Sequence, residues 1–232
     1  MRLFTAILVS IALLAASAQA SVLLSENWES GTDGWTDVGS GPYAALSTAQ
    51  NTTVGGAYSL KTADTTTGST NAKDYSFATE SAKNWYLKFN FMETGSTREY
   101  IQLYSYAGTS LQQLIAFGTY NTVDYTKYNF RVTNGSVGWS NTTVARKNNV
   151  WHAMYIEQDL AGNLTFKIDG NVAATPTTTS IFGVTKIRVG SALGNGSHGA
   201  YYDDIEFGVV PEPATLAFLL AGFGLISRRR RA

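Results

Sequence analysis

Apolar and polar residues alternate along much of the chain between positions 21 and 209. No stretch there carries the ~3.6-residue period of a long helix. Trp85, Leu87, Phe89 and Phe91 fall on one side of an extended segment, with Tyr86, Lys88 and Asn90 on the other. Leu164, Phe166 and Ile168 alternate in the same way with Thr165, Lys167 and Asp169. Less regular segments of this kind run over 111–117, 125–132 and 186–189. A period of two sends successive side chains to opposite faces of a strand, so one face meets a core and the other meets solvent. Asn134-Gly135, Gly162-Asn163, Asp169-Gly170 and Asn195-Gly196 separate the runs. Such pairs supply the positive φ angles that tight hairpins need. Only 78–84 has room for a helical turn. Many short strands with polar turns predict an all-β protein, an antiparallel sandwich or barrel. No unit of about 20 to 50 residues repeats, which argues against a solenoid or propeller.

Composition narrows the chemistry. The chain has 232 residues, 44% hydrophobic and 12% aromatic, enough to bury a core. It contains no cysteine, which removes disulfides, thiolate metal sites and thiol nucleophiles together. Two histidines, His152 and His198, exclude a His-rich metal centre. Between 21 and 209 there are 12 basic and 16 acidic residues, a net charge of −4. That balance argues against a nucleic-acid partner, which needs a basic excess.

The two ends read as addresses. Met1-Arg2-Leu3-Phe4, an apolar run over 6–16 and Ala18-Gln19-Ala20 have the order of a secretory signal peptide, expected over 1–20 and removed by signal peptidase. At the other end stand Pro211-Glu212-Pro213, an apolar stretch over 214–226 and Arg228, Arg229, Arg230 and Arg231. The 13-residue stretch spans only about 20 Å as a helix, short of a ~30 Å hydrocarbon core. The arginines would keep the tail cytoplasmic during transient insertion into the inner membrane. Residues 210–232 resemble the PEP-CTERM sorting signal of Gram-negative bacteria. The resemblance implies a hydrophobic sorting helix processed by exosortase. It also implies delivery to the envelope, the outer surface or the extracellular matrix.

The intervening domain, 21–209, carries three further stretches. Trp28-Glu29-Ser30-Gly31 with Gly34-Trp35 resembles the opening of LamG-like and concanavalin A-like jelly rolls. Val150-Trp151-His152, running through Glu157 and Gly162 to Asp169-Gly170, resembles the hairpin of the LamG-like fold. Tyr201-Tyr202-Asp203-Asp204-Ile205-Glu206-Phe207 resembles its closing strand. The order of the three implies a jelly-roll β-sandwich. Residues 40–84 match none of these patterns and read as Thr-, Ser- and Gly-rich loops or irregular strands.

The residues favour binding over catalysis. Glycoside hydrolysis needs two carboxylates ~5 to 9.5 Å apart on one surface. Glu93 and Glu99 flank a short turn and read as solvated edge charges, and no Glu-x-Asp-x-x-Glu string occurs. His152 shares parity with Met154 and Ile156, which makes it a core histidine. A divergent polysaccharide hydrolase or lyase is the weakest of three readings. If Ile101 and Leu103 face the core, Tyr100, Gln102, Tyr104 and Tyr106 form an exposed ladder able to hold extracellular polysaccharide. The competing account is cross-strand packing in a structural matrix protein without sugar specificity. Trp28, Trp35, Trp85 and Trp151 are expected in the core. By resemblance to jelly-roll binding proteins, Glu29 and Asp203, with Asp204, imply a structural calcium ion joining the two ends of the domain. Asp203 shares strand parity with Ile205 and Phe207, and a carboxylate facing a core needs a partner.

Overall fold

The computed structural model describes residues 20–39, 41, 43–62, 71–95, 98–120, 124–133, 137–191 and 199–210. The signal segment and the sorting tail, including Pro211, Glu212, Pro213 and the four arginines, lie outside these residues. So do His198 and the Asn134-Gly135 and Asn195-Gly196 turns. The strands are β1 Ser21–Glu26, β2 Trp35–Val38, β3 Ala45–Ser47, β4 Ser59–Lys61, β5 Asn71–Ser76, β6 Trp85–Glu93, β7 Tyr100–Ala107 and β8 Ser110–Gly118. They continue with β9 Lys127–Val132, β10 Val137–Ala145, β11 His152–Gln158, β12 Leu164–Ile168, β13 Asn171–Ala174, β14 Lys186–Ser191 and β15 Ala200–Val209.

They form two antiparallel sheets. One has the order β13-β12-β11-β6-β15-β4-β3, with β1 also on β15; the other runs β10-β9-β8-β7-β14-β5-β2. The compact unit spans Val22–Val209. This is a jelly-roll β-sandwich, and the strands named by alternation, β6, β8, β9, β12 and β14, all lie inside the sheets rather than at their edges. Trp85, Leu87, Phe89 and Phe91 of β6 are buried, as are Leu164, Phe166 and Ile168 of β12. Their inner faces meet Ile101, Leu103, Ile115, Phe117, Phe130 and Val132 from the other sheet. One chain of rings, Trp28, Trp35, Tyr75, Phe77, Phe207 and Trp85, crosses the core at centroid spacings of 5.1 to 6.1 Å. The β12–β13 hairpin turns on Asp169 (φ 51°) and Gly170 (φ 78°), the conformation expected of an Asp-Gly pair.

Three local expectations change. Residues 40–84 contribute β3, β4 and β5 to the two sheets, and 78–84 forms bends, not a helical turn. Trp151 is half-buried at the end of the sandwich, edge-on to Tyr201 at 6.4 Å. The parity of Asp203 is reversed by a β-bulge. Asp203 pairs with Asn90 and Glu206 with Lys88, while Asp204 is extra and takes φ 47°. Asp203 therefore lies on the outer face, opposite to Ile205 and Phe207 in the core.

Candidate functional site

The outer face of the seven-stranded sheet is built of hydrogen-bonding and aromatic groups. Cross-strand registers align Thr36, Asp74, Arg188, Gln102, Ala116, Arg131 and Trp139, one residue from each strand, in a single row. At ~4.8 Å between strands, the row is about 29 Å long. A second row beside it holds Tyr100, Gly118, Asn129 and Asn141. Gly118 permits this packing, because a Cβ there would collide with the Tyr100 backbone. Asp74 receives a two-pronged hydrogen bond from Arg188, at 2.6 and 2.7 Å, and an ion pair from Lys186 at 3.0 Å. Burial raises the Asp74 carboxyl, but these two cations outweigh it and hold the group below its ordinary 3.8. Tyr104 donates to Gln102 at 2.9 Å, and burial pushes its phenol up to about 12.

The tyrosine ladder has the expected parity but a different exposure. Ile101 and Leu103 face the core, yet Tyr100, Gln102 and Tyr104 are also buried, and Tyr106 is half-buried. Their rings are engaged with neighbours. Tyr104 stacks on Tyr106 at 5.8 Å, with Lys186 and Arg188 over its ring at 4.5 and 5.3 Å. Tyr100 packs on Trp139 at 4.9 Å, and Trp139 stacks on Tyr120 at 4.2 Å with near-parallel planes. Arg98 lies over Tyr120 at 5.0 Å. The half-buried surface therefore belongs to Tyr106, Tyr120 and Trp139. Trp139 has only Val137 as an apolar neighbour at two-residue spacing, with Asn141 on the other side, so periodicity does not single it out. Its register beside Arg131 does. Arg131 Nε is buried without a hydrogen-bond partner, and an unmet buried donor costs ~1 to 3 kcal/mol.

The carboxylates expected to bind calcium act as a clamp on one loop. Asp203 Oδ2 accepts the backbone N–H of Thr52 at 2.7 Å and of Thr53 at 3.3 Å, and the Thr52 hydroxyl at 2.9 Å. Asp204 accepts the Thr53 hydroxyl at 2.8 Å and the Asn90 amide at 3.0 Å, and shares the Thr52 hydroxyl proton with Asp203. Glu29 holds the far side of the same loop through the N–H groups of Ala57 and Tyr58 and the Asn51 amide. The Tyr58 and Ala57 bonds keep its carboxyl below the usual range. Calcium takes six to eight oxygen ligands. Here N–H donors occupy lone pairs that a cation would need, and Glu29 is turned away to its own partners. Among the described residues no three His, Cys, Asp or Glu converge. The donor set does not fit the expected ion.

Glu93 and Glu99 are buried rather than solvated. Arg146 forms a two-pronged ion pair with Glu93 and donates to Gly95 O. Burial nevertheless pushes the Glu93 carboxyl up, against the pull of Arg146. Glu99 accepts from the Tyr202 hydroxyl at 3.3 Å. His152 is buried as expected, with Nδ1 2.7 Å from Asp169. On the outer face of the other sheet, Tyr155 and Lys167 line a shallow depression of about 280 Å³ with Lys88, Ala153, Met154 and Gly170.

Residues 209–231 match the PEP-CTERM protein-sorting motif. The motif marks an exported, envelope-associated protein subject to signal-peptide and exosortase processing. No curated protein matches the sequence. Among solved structures, the chain is similar to "Cellulose induced protein, Cip1", at a TM-score of 0.58 and 13% identity over 79% of this chain and 96% of that one. It is similar to the Trypanosoma cruzi ("T. cruzi") calreticulin globular domain, at 0.57 and 11% over 90% and 95%. It is also similar to a Bacillus subtilis protein of unknown function with a galectin-like fold, at 0.55 and 12% over 83% and 98%. At these identities the likeness is one of fold.

Proposed function

We propose that this exported protein binds extracellular polysaccharide on the outer face of its seven-stranded sheet, as an adhesive or assembly component of the matrix of a Gram-negative bacterium. The observation that carries the proposal is the row from Thr36 to Trp139. It runs about 29 Å across all seven strands and is rich in amide, carboxylate, guanidinium and aromatic groups. An extended glycan laid across the strands would meet Thr36, the half-buried Arg188 and Arg131, and the half-buried Trp139 and Tyr120 at one end, over a floor of buried Asp74, Gln102 and Ala116. The fold shared with a cellulose induced protein and a galectin-like protein is compatible with this role. In this reading the role is non-catalytic, which is supported by the ion pair that occupies Glu93 and by the burial of Glu99 against the Tyr202 hydroxyl.

A glycan array with the purified protein, followed by titration of the best glycan, tests the proposal. Trp139→Ala should weaken binding by about 1 to 3 kcal/mol, as loss of an aromatic platform does for other ring ligands. Because Trp139 also covers Tyr100, unchanged circular dichroism and melting of the variant separate loss of binding from loss of packing. If no glycan binds, or if Trp139→Ala leaves affinity unchanged, the proposal fails. A structural matrix protein would then account for the mutual stacking of the tyrosines.

A further inference from the structure

We infer that the polysaccharide held by this face is acidic, and that Arg131 recognises its carboxylates; the inference rests on the binding role proposed above. The compact domain is acidic as a whole, yet this face is not. Its described strands place Lys127, Arg131, Lys186 and Arg188 on the outer side, against the single carboxylate of Asp74. Asp74 is matched by Arg188 and Lys186, which together leave an excess positive charge. Lys127 lies within electrostatic reach of Asp124 in the preceding loop. Arg131 differs from all of these. It makes no ion pair among the described residues, and its Nε is buried with no acceptor. Its cross-strand neighbours are Ala116 and Trp139, neither of which has a side-chain oxygen or nitrogen acceptor.

A guanidinium presents parallel N–H groups that match the two oxygens of a carboxylate. Across the strand pair from Trp139, the terminal N–H groups of the half-buried Arg131 place a carboxylate receptor beside a surface for the sugar ring that bears it. Low solvent access strengthens the attraction, and a local cationic strip steers anions even on an acidic domain. A uronate polymer supplies that carboxylate at each sugar, in step with an extended site.

The test compares polygalacturonate with its methyl-esterified form, and with single-stranded DNA of similar length, at low and high salt. The purified protein should bind polygalacturonate about tenfold or more tighter than the ester, because one charge-assisted contact is lost with the charge. The preference should shrink as salt rises. Arg131→Gln should abolish the preference while ester binding persists, and Arg131→Lys should restore part of it and its salt dependence. Unchanged circular dichroism and melting in both variants separate recognition from folding. Equal affinity for the acid and the ester overturns the acidic assignment and leaves polysaccharide binding standing. Absence of binding to every glycan overturns the face itself. DNA binding as tight as polygalacturonate would instead indicate a general polyanion surface and overturn the inference.

Discussion

Two charged pairs show how individual residues set the stability of this sandwich. Glu93 has no exposed surface, and its carboxylate meets Arg146 from the segment after β10. Removing one member of a buried pair strands the other, which costs about 3 to 5 kcal/mol. Glu93→Gln or Arg146→Met should lower the denaturant midpoint accordingly, and a cost under about 1 kcal/mol would place the pair in solvent. Asp74 acts through pH. Its carboxyl is held below the ordinary value, so the folded state binds that proton less tightly than the unfolded chain. Its contribution is present above the unfolded value and is lost as pH falls through the folded one. With two partners and partial solvent screening, Asp74→Asn should cost about 1 to 2 kcal/mol near neutral pH. That cost should begin to shrink as pH falls below the ordinary value of 3.8 and vanish only below the lower folded value. Urea unfolding of both proteins across this range reads the effect, and a pH-independent difference would contradict it.

At the scale of elements, the β15 bulge decides what the closing strand can do. Simple alternation puts Asp203 with Ile205 and Phe207, and one extra residue at Asp204 reverses it. The carboxylate then faces the 51–58 loop and holds it by hydrogen bonds. Asp203→Ala should cost about 1 to 3 kcal/mol, since half-buried donors of Thr52 and Thr53 lose their acceptor. Because the loop is held by N–H and hydroxyl donors, the melting temperature should be the same in calcium and in chelator. A rise with calcium would show that the clamp also holds a cation. Strands β6 and β12 were legible because every second residue is apolar and buried while Lys88, Asn90, Thr165 and Lys167 fall on the other face, although Tyr86 and Met92 of β6 are buried there too, and Asp169-Gly170 was legible because its turn is local. The short β3 and β4 were not, because three residues carry no period. Nor was the burial of Glu93, whose partner lies 53 positions away.

For the whole molecule, the two sheet faces differ in kind. On the eight-stranded sheet, Tyr86 and Tyr155 stack at 6.2 Å, and Lys88–Glu206 and Lys167–Glu157 neutralise one another. The seven-stranded sheet carries an unmatched guanidinium and a row of polar and aromatic groups. The ladder residues Tyr100 and Tyr104 were legible as outward-facing but not as covered, because their covers come from β10 and β14, distant in sequence. Sugar association at one face is the central claim, and titration followed by amide and indole NMR tests it most directly. Binding should shift the Trp139 indole N–H and the backbone amides of Gln102, Arg131 and Arg188, and leave the core Trp28 and Trp85 indoles unmoved. Shifts centred on Tyr155 and Lys167, or none with any glycan, would contradict the account.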